Sequence, residues 1–484
     1  MNRKVVILAL ALLASACGAR LSASQTKLAL DASGSAGSGS AASGSVGSTG
    51  SGSAASGSVG STGSGSASSG SVGSAGASAA VLGPAVGGGQ VSAPAPAAGN
   101  GGATDVGVTA STITIANIAS LSGVAPGLFQ TAQQATEAFA AYVNSQGGIY
   151  GRVLKVIPYD DQNDSGQNQA DSQDACGKAF ALVGSESAFD DGGASVVAKC
   201  GIPNVAGFAA TAQMAATSET YSPSGLTEHY YPLGPANWMK AQHPTSITKA
   251  AMIYLSPPVT VLSAEREMQA YSSVGFNWIY TASTQVTEPN YTPYVLQMRS
   301  KGVQLVMMSS DYESTARLEQ AMQQQNWEPT VRYWSGTTYD PGFINLTQPE
   351  SNGDYLYLTS AMFQDQPPIP EMQLYLSWMG KVNPGYKKDA FGLDAWAADE
   401  LFLQVVKAVG PDLTRKALLS QLSQIHSFGA NGLLAPADVG NRLPSPCFDI
   451  AQIQNGQFVR AAPSQQGFIC SDGGLWKLQG SLGQ

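Results

Sequence analysis

The chain has 484 residues, of which 43% are apolar and 12% charged, so it can bury enough side chains for two lobes or domains. Its net charge of −9 makes nucleic acid and acidic membrane surfaces poor partners, because both are negatively charged. Glycine is frequent, with 55 residues, and many of them lie between residues 32 and 103.

The N-terminal residues have the layout of a secretory signal peptide. Basic residues precede an apolar run from Val5 to Leu13, and small residues lead to Cys17. The run is too short for a permanent membrane span. A cysteine at this place resembles a bacterial lipobox, and a secreted protein with a free thiol is the alternative. We expect a signal peptide over 1–16, a lipidated N-terminus over 17–31, and a folded part at the extracytoplasmic face of the cell membrane.

Residues 32–103 consist largely of glycine, serine and alanine, and a unit that starts at Ala42 recurs from Ala55. The unit has too few apolar residues to bury a core, which argues against a repeat fold. A chain of this composition is a flexible coil, and about 70 residues span roughly 45 to 50 Å. We therefore expect a disordered tether. Its many serines leave a glycosylated stalk open.

The stretch from Ile113 to Asp161 predicts a strand, a helix and a second strand. Ile113–Ile118 is β-rich, residues 127–144 have apolar positions at helical spacing, and Val153–Ile157 is the second strand. This unit is typical of a parallel α/β sheet. The adjacent acids Asp160 and Asp161 could form a catalytic pair. Because neighbouring strand residues point to opposite faces, we interpret them instead as surface and turn residues.

Four cysteines follow Cys17, and an even number in an exported chain predicts disulfides. Of the three pairings, we predict Cys176 with Cys200 and Cys447 with Cys470. Each would close a loop of about 24 residues and contribute about 3 kcal/mol. A metal site is the alternative, but neither pair has metal-ligand spacing and the histidines do not cluster, so we predict none.

The residue identities in this first unit are more specific than its pattern of apolar and polar positions. Leu121-Ser122-Gly123 after the first strand, the run Asn144–Arg152 and the strand ending in Asp160-Asp161 resemble the opening of type I periplasmic solute-binding proteins, the branched-chain amino-acid binding protein class. Later segments follow the order of that family. The resemblance implies an α/β fold with two lobes, each a parallel sheet flanked by helices, and a ligand cleft between them.

The resemblance also implies the division of the chain and its ligand contacts. Lobe 1 would comprise 104–235 and 360–428, lobe 2 would comprise 236–359 and 429–475, and 476–484 would be a tail. Loops at the strand ends would offer hydroxyls and backbone amides to the solute. The expected contacts are Ser185, Ser187, Ala188, Phe208, Ala209, Thr211, Tyr254, Tyr312, Thr337 and Tyr339.

Two positions depart from the pattern of the family. Ser256-Pro257-Pro258 stands where many relatives have an acid or a Tyr-Gly pair, and the prolines remove N–H donors. Thr337 stands where amino-acid binders often have a glutamate for the ammonium group, with Glu313 and Asp340 only nearby. A buried ammonium without an anion is costly. This disfavours an α-amino acid and leaves uncharged amides, small carboxylates and aromatic compounds.

Five of the candidate residues also have a structural interpretation. Ser185 and Ser187 could cap the following helix, and Phe208, Tyr312 and Tyr339 could belong to the core. Their joint position at successive strand ends is what favours a site.

These features predict an extracytoplasmic solute-binding lipoprotein that delivers a small polar or amphipathic solute, such as an amino acid, an amide or a related molecule, to an ABC transporter permease. We expect a monomer without cofactor that contacts the membrane only through its lipid. A clamshell that signals to a protein partner is the alternative. A hydrolase is disfavoured, because the sequence has no Gly-x-Ser-x-Gly elbow and its three histidines lie outside the strand-end loops.

Overall fold

A computed structural model describes residues 99–470 and 474–483. The predicted signal peptide, the lipidated Cys17 and residues 32–98 of the predicted tether lie outside these ranges. Asn100, at the end of the predicted tether, is bound to the folded part, because its side-chain amide donates to the carbonyls of Ala110 (2.8 Å) and Tyr150 (3.0 Å). No helix in the described ranges is long and apolar enough to cross a membrane.

The first sheet has seven strands, and all its ladders are parallel. Its strands are β1 Thr112–Ala119, β2 Val153–Asp160, β3 Ala181–Val183, β4 Glu186–Ser187, β5 Asn204–Val205, β6 Phe208–Ala209 and β7 Thr220–Tyr221. Their order is β6-β4-β1-β3-β5-β7, and β2 also pairs with β1.

The second sheet also has seven strands, in the order β10-β9-β11-β12-β13-β14-β15. Together with a two-stranded antiparallel ribbon of β8 and β16, the strands are β8 Tyr230–Pro232, β9 Ala250–Leu255, β10 Trp278–Thr284, β11 Leu305–Ser309, β12 Val331–Trp334, β13 Tyr355–Leu358, β14 Asp449–Gln454, β15 Gln457–Ala462 and β16 Leu475–Lys477. The sheet is parallel from β10 to β13, and β14 runs antiparallel to both neighbours.

Helices flank both sheets. In chain order they are α1 Gln130–Ser145, α2 Ser165–Lys178, α3 Asp191–Cys200, α4 Ala212–Ala215, α5 Gly234–Gln242, α6 Pro258–Val274, α7 Thr292–Lys301, α8 Tyr312–Gln324, α9 Pro341–Thr347, α10 Pro370–Val382, α11 Ala390–Val409 and α12 Arg415–Leu422. The prediction of an α/β fold with parallel sheets flanked by helices is confirmed, with an antiparallel edge added to the second sheet. The helix predicted over 127–144 begins later, at Gln130.

The chain passes between the two sheets more than once. It leaves the first sheet through β8, returns after β13 to helices α10 to α12, and reaches the second sheet again at β14. Helix α11 belongs with the first sheet, because Trp396 packs edge-on against Phe139 of α1 at 4.9 Å. We use first lobe and second lobe for the two sheets with the helices that pack on them.

The Leu121-Ser122-Gly123 motif after β1 is explained by contacts between two turns. The backbone N–H groups of Leu121 and Ser122 donate to the carboxylate of Asp160 at 3.0 and 3.2 Å. A Cβ at Gly123, whose φ is +92°, would lie 2.0 Å from the carbonyl oxygen of Gln162. The turn after β1 and the turn after β2 therefore hold each other, which links the glycine and the acid of the sequence motif.

Both predicted disulfides are present and join Cys176 to Cys200 and Cys447 to Cys470. The first connects α2 to the last residue of α3. Arg415, at the start of α12, donates to the carbonyls of Cys176 (2.8 Å) and Cys200 (3.4 Å). The bond and the guanidinium therefore hold the same corner of the first lobe.

A buried ionic cluster holds the second lobe. Arg332 of β12 is 8% exposed and its guanidinium binds the carboxylates of Asp354 and Glu319, the latter at 3.0 Å. The indole N–H of Trp334 donates to Asp354 at 2.6 Å. Burial raises the pKa of Asp354 to about 6, and the charge of Arg332 opposes this rise. The guanidinium therefore compensates two buried acids at once.

Replacement of Arg332 by methionine should lower the free energy of unfolding by about 3 to 5 kcal/mol, because it leaves buried carboxylates without a cation. Arg299→Met is the matched control, since Arg299 is exposed on α7. Urea denaturation at neutral pH measures both. Equal small effects of the two substitutions would contradict a compensating role for Arg332.

Removal of the first disulfide by Cys176→Ser with Cys200→Ser should lower the free energy of unfolding by about 3 kcal/mol, since the bond closes a loop of 24 residues in the unfolded chain. The midpoint of urea denaturation, compared with that of the oxidised parent, measures the loss. An unchanged midpoint would argue against any constraint from this bond.

Candidate functional site

A cavity of about 370 Å³ lies between the two lobes, at the carboxyl ends of their parallel strands. Ala209 ends β6, Leu255 ends β9 and Ser309 ends β11, and all three line the cavity. The loops and helix starts that follow strands meet at this edge of an open α/β sheet. The strand ends of both lobes therefore face one space.

The walls of the cavity are largely apolar. Phe208 and Phe391 contribute rings from the first lobe, and Val259 and Leu262 contribute aliphatic side chains from α6 of the second. Phe208 is 44% exposed, which is unusual for so large an apolar residue. Exposed apolar surface in a concave site is typical of binding sites for ligands with an apolar body.

The loop after β6 is held by an internal carboxylate. The backbone N–H groups of Ala210 and Thr211 donate to Asp190 at 2.8 and 3.0 Å, and the Thr211 hydroxyl donates at 2.5 Å. Asp190 is buried, and burial raises its pKa to about 7, while these hydrogen bonds lower it. The donors that could bind an anionic solute here are therefore already engaged by the protein.

The loop after β4 is also held by an internal carboxylate. The Ser187 hydroxyl donates to Asp161 and accepts the backbone N–H of Phe189 at 2.9 Å. Asp161 also accepts from the side-chain amide of Asn168 at 2.9 Å, and it is fully buried. Its interpretation as a surface residue was therefore wrong, because the side chain turns inward to satisfy the polar groups of this loop.

The structure brings five of the ten residues predicted to contact solute to the cavity, namely Ala188, Phe208, Ala209, Thr211 and Thr337. The Thr337 hydroxyl donates to the carbonyl of Ser310 at 2.7 Å, so it fixes the loop after β12 to the loop after β11. In the second lobe, too, a strand-end hydroxyl is used inside the protein.

The other five predicted residues do not line the cavity. The Ser185 hydroxyl accepts the backbone N–H of Ile118 at 3.0 Å, and Ser187 is bonded to Asp161 as described. Tyr254 packs against the core of the second lobe. Tyr312 lies beneath the ammonium of Lys387, 5.1 Å from its ring centroid.

Tyr339 is the fifth of these residues, and it is buried in the core. Its ring stacks on Phe363 with centroids 5.8 Å apart and meets Phe458 edge-on at 4.8 Å. Its hydroxyl accepts the backbone N–H of Phe363 at 2.8 Å. Residue type and position at a strand end are the same for a core tyrosine and a ligand contact, so the sequence could not separate them.

Sequence reasoning missed a group of polar residues at one end of the cavity. Arg266 and Glu267 of α6 line it together with Tyr231 of β8 and Tyr357 of β13. Glu267 is 3% exposed. The signal was available in the sequence, because Glu267 shares helical spacing with the apolar residues Ala264 and Ala270 and so falls on the buried face of α6.

Acidic groups outnumber basic ones around the cavity. The charged lining residues are Glu228, Glu267, Asp311, Asp394 and Arg266. Burial raises the pKa of Asp394 to about 7, and a hydrogen bond from Ser224 at 3.2 Å lowers it. In the described ranges, no group of three or more histidine, cysteine, aspartate or glutamate side chains could hold a metal ion.

Known structures share this architecture. The chain is similar to a fatty acid ABC transporter substrate-binding protein from Thermomonospora curvata, with 16% identity, a TM-score of 0.66 and coverage of 78% of this chain and 97% of that one. It is similar to a solute-binding protein from R. palustris in complex with 4-hydroxybenzoate, with 15% identity, a TM-score of 0.61 and coverage of 76% and 97%.

A third structure, a putative branched-chain amino acid ABC transporter from Rhodospirillum rubrum, has 18% identity, a TM-score of 0.56 and coverage of 72% of this chain and 99% of that one. Comparison with curated protein sequences gave no match. A family model described as periplasmic binding protein matches residues 112–457. These residues include the first sheet, strands β9 to β14 of the second sheet and the strand ends that line the cavity. The match confirms the resemblance inferred from the first unit. The chain belongs to the periplasmic binding protein family.

Proposed function

We propose that this protein is an extracytoplasmic solute-binding protein that captures a small solute with an apolar body and delivers it to an ABC importer. The observation that carries the proposal is the cavity of about 370 Å³ between the lobes, with its largely apolar walls. A space of this size suits a small molecule. Closure of two lobes around a solute would give a form that a transporter can distinguish from the open one.

Two structural relatives support an amphipathic solute. The protein from Thermomonospora curvata is described as a fatty acid binder, and the one from R. palustris holds 4-hydroxybenzoate. Each of these solutes joins an apolar body to a polar group. The apolar body of a solute bound in this cavity would contact Phe208, Leu262 and Phe391. Thr211 would form part of the wall while its hydroxyl donates to Asp190.

The N-terminal segment supports attachment to a membrane. We propose that Cys17 carries a lipid after removal of residues 1–16, and that the Gly/Ser/Ala-rich chain to residue 98 lets the folded part stand off from the lipid. The importer would then meet the binding domain at the outer face of the membrane.

A thermal-shift screen of the chain without residues 1–17 tests the proposal. A solute that binds only the native state raises the melting temperature in a saturable way. We expect shifts with aliphatic and aromatic compounds that carry one polar group, and none with sugars. A panel in which only sugars or strongly polar compounds give shifts would contradict an apolar-bodied solute.

Leu262→Ala should weaken binding of the best compound from that screen about 5-fold to 30-fold, because it removes about 1 to 2 kcal/mol of apolar contact from the wall. Leu296→Ala is the control, since Leu296 is 47% exposed on α7 and does not line the cavity. Titration calorimetry measures both dissociation constants. Equal effects of the two substitutions would mean that the solute binds elsewhere.

Cys17→Ser should move the full-length protein, expressed in a bacterial host, from the membrane fraction to the soluble extracytoplasmic fraction, because it removes the proposed lipid acceptor. Cys176→Ser with Cys200→Ser is the control, since it also replaces cysteines but leaves the N-terminus unchanged. Retention of the Cys17→Ser protein in the membrane would contradict the lipid anchor.

A further inference from the structure

Glu267 stands apart from the other acids around the cavity. Asp311 accepts hydrogen bonds from Ser314, Asp394 accepts one from Ser224, and Glu228 faces Arg442. Glu267 is only 3% exposed, and it lines the cavity. Its Oε1 atom has no hydrogen-bond partner among the described residues. A buried carboxyl oxygen without a partner is costly, and one that also borders a cavity is accessible to a solute.

Aromatic rings surround this carboxyl. Tyr231 from β8 and Tyr357 from β13 line the same end of the cavity, with their hydroxyls 3.5 Å apart. Tyr271 meets Tyr231 edge-on at 6.1 Å, and Tyr333 packs against Tyr357 at 5.7 Å. Burial raises the pKa of Glu267 to about 7, and hydrogen bonds from the phenols of Tyr357, Tyr271 and Tyr231 to the carboxylate lower it.

In the described part of the chain, no cation pairs with Glu267. Its pKa is shifted by burial and by hydrogen bonds from the three phenols, and by no charged residue of that part. Arg266 is the next residue on α6, but its Nε donates to the carbonyl of Leu482 at 3.3 Å and its charge interacts with Glu228. Glu228 also faces Arg442, at 3.7 Å. The guanidinium groups of Arg266 and Arg442 therefore both interact with Glu228.

We propose that the carboxylate of Glu267, with the rings of Tyr231 and Tyr357, binds an ammonium group of the solute, so that the ligand class is an organic amine with an apolar body. A carboxylate beside tyrosine side chains can recognise ammonium through a charge-assisted hydrogen bond to the carboxylate and a cation–π contact with the rings. The apolar body would then extend toward Leu262 and Phe391.

The same geometry disfavours an anionic head group. At the strand ends of the first lobe, the N–H groups of Ala210 and Thr211 and the hydroxyl of Ser187 already bind Asp190 and Asp161. A carboxylate solute would have to compete with two internal carboxylates for these donors, and it would enter a cavity whose lining has four acids and one arginine. This inference rests on the proposed solute-binding function and names its ligand class.

Titration calorimetry tests the inference with three probes that share a phenylalkyl group and differ in their head group. They are 3-phenylpropylamine, 3-phenylpropanol and 3-phenylpropanoate. The amine should bind at least about 10-fold more tightly than the alcohol and the acid, because it alone can pair with the Glu267 carboxylate. Its affinity should rise as the pH is raised from 6 to 8, since binding needs the ionised carboxylate and the free group has a pKa of about 7. The alcohol should show no such rise.

Glu267→Gln keeps the shape of the side chain and removes its charge. It should weaken binding of the amine about 10-fold to 100-fold, remove most of the pH dependence, and leave binding of the alcohol within about 2-fold. Glu265→Gln is the matched control, because Glu265 is exposed on the same helix. The pH dependence of the parent protein is a readout that does not depend on the folding of any variant.

The outcomes separate the inference from the proposed function. Binding of the acid or the alcohol at least as tight as that of the amine, or an amine affinity that Glu267→Gln leaves unchanged, would overturn the ammonium site while the solute-binding function stands. Failure of all three probes to bind the parent protein at millimolar concentration would contradict both the ammonium site and the apolar-bodied solute.

Discussion

Both lobes end their parallel strands at one cleft, and the loops there carry N–H and hydroxyl groups that no β-ladder can pair. This protein satisfies many of them with its own buried acids. Asp190 takes the amides and hydroxyl of Ala210 and Thr211, and Asp161 takes the hydroxyl of Ser187. The loops are therefore fixed from within, and apolar side chains such as Phe208 are left to form the walls.

The position of the remaining polar groups connects recognition with the joint between the lobes. Tyr231 lies in β8, where the chain first leaves the first lobe, and Tyr357 lies near the end of strand β13, just before Ser360 bridges to Leu434. A solute held at this end by Glu267 would touch segments that would have to bend if the lobes closed. Contacts made only in such a closed form would favour it.

Much of the fold was predictable because it depends on local patterns. The β1-α1-β2 unit follows from apolar periodicity. The contacts between its two turns, through Gly123 and Asp160, explain why these particular residues are needed there. The site was less predictable. Position at a strand end brought Phe208 and Thr337 to the cavity, but it could not show that Tyr339 turns into the core or that Glu267 reaches the cavity from the middle of a helix. Both depend on packing between segments far apart in sequence.

Hydrogen–deuterium exchange with and without a saturating solute tests most directly whether both lobes hold it. We expect slower exchange in the loops at the strand ends of both lobes, around residues 208–211 and 335–337, and in the crossing at 230–232, with little change on the outer faces of α2 and α7. Protection confined to one lobe, or to those outer helices, would contradict a solute bound between the lobes.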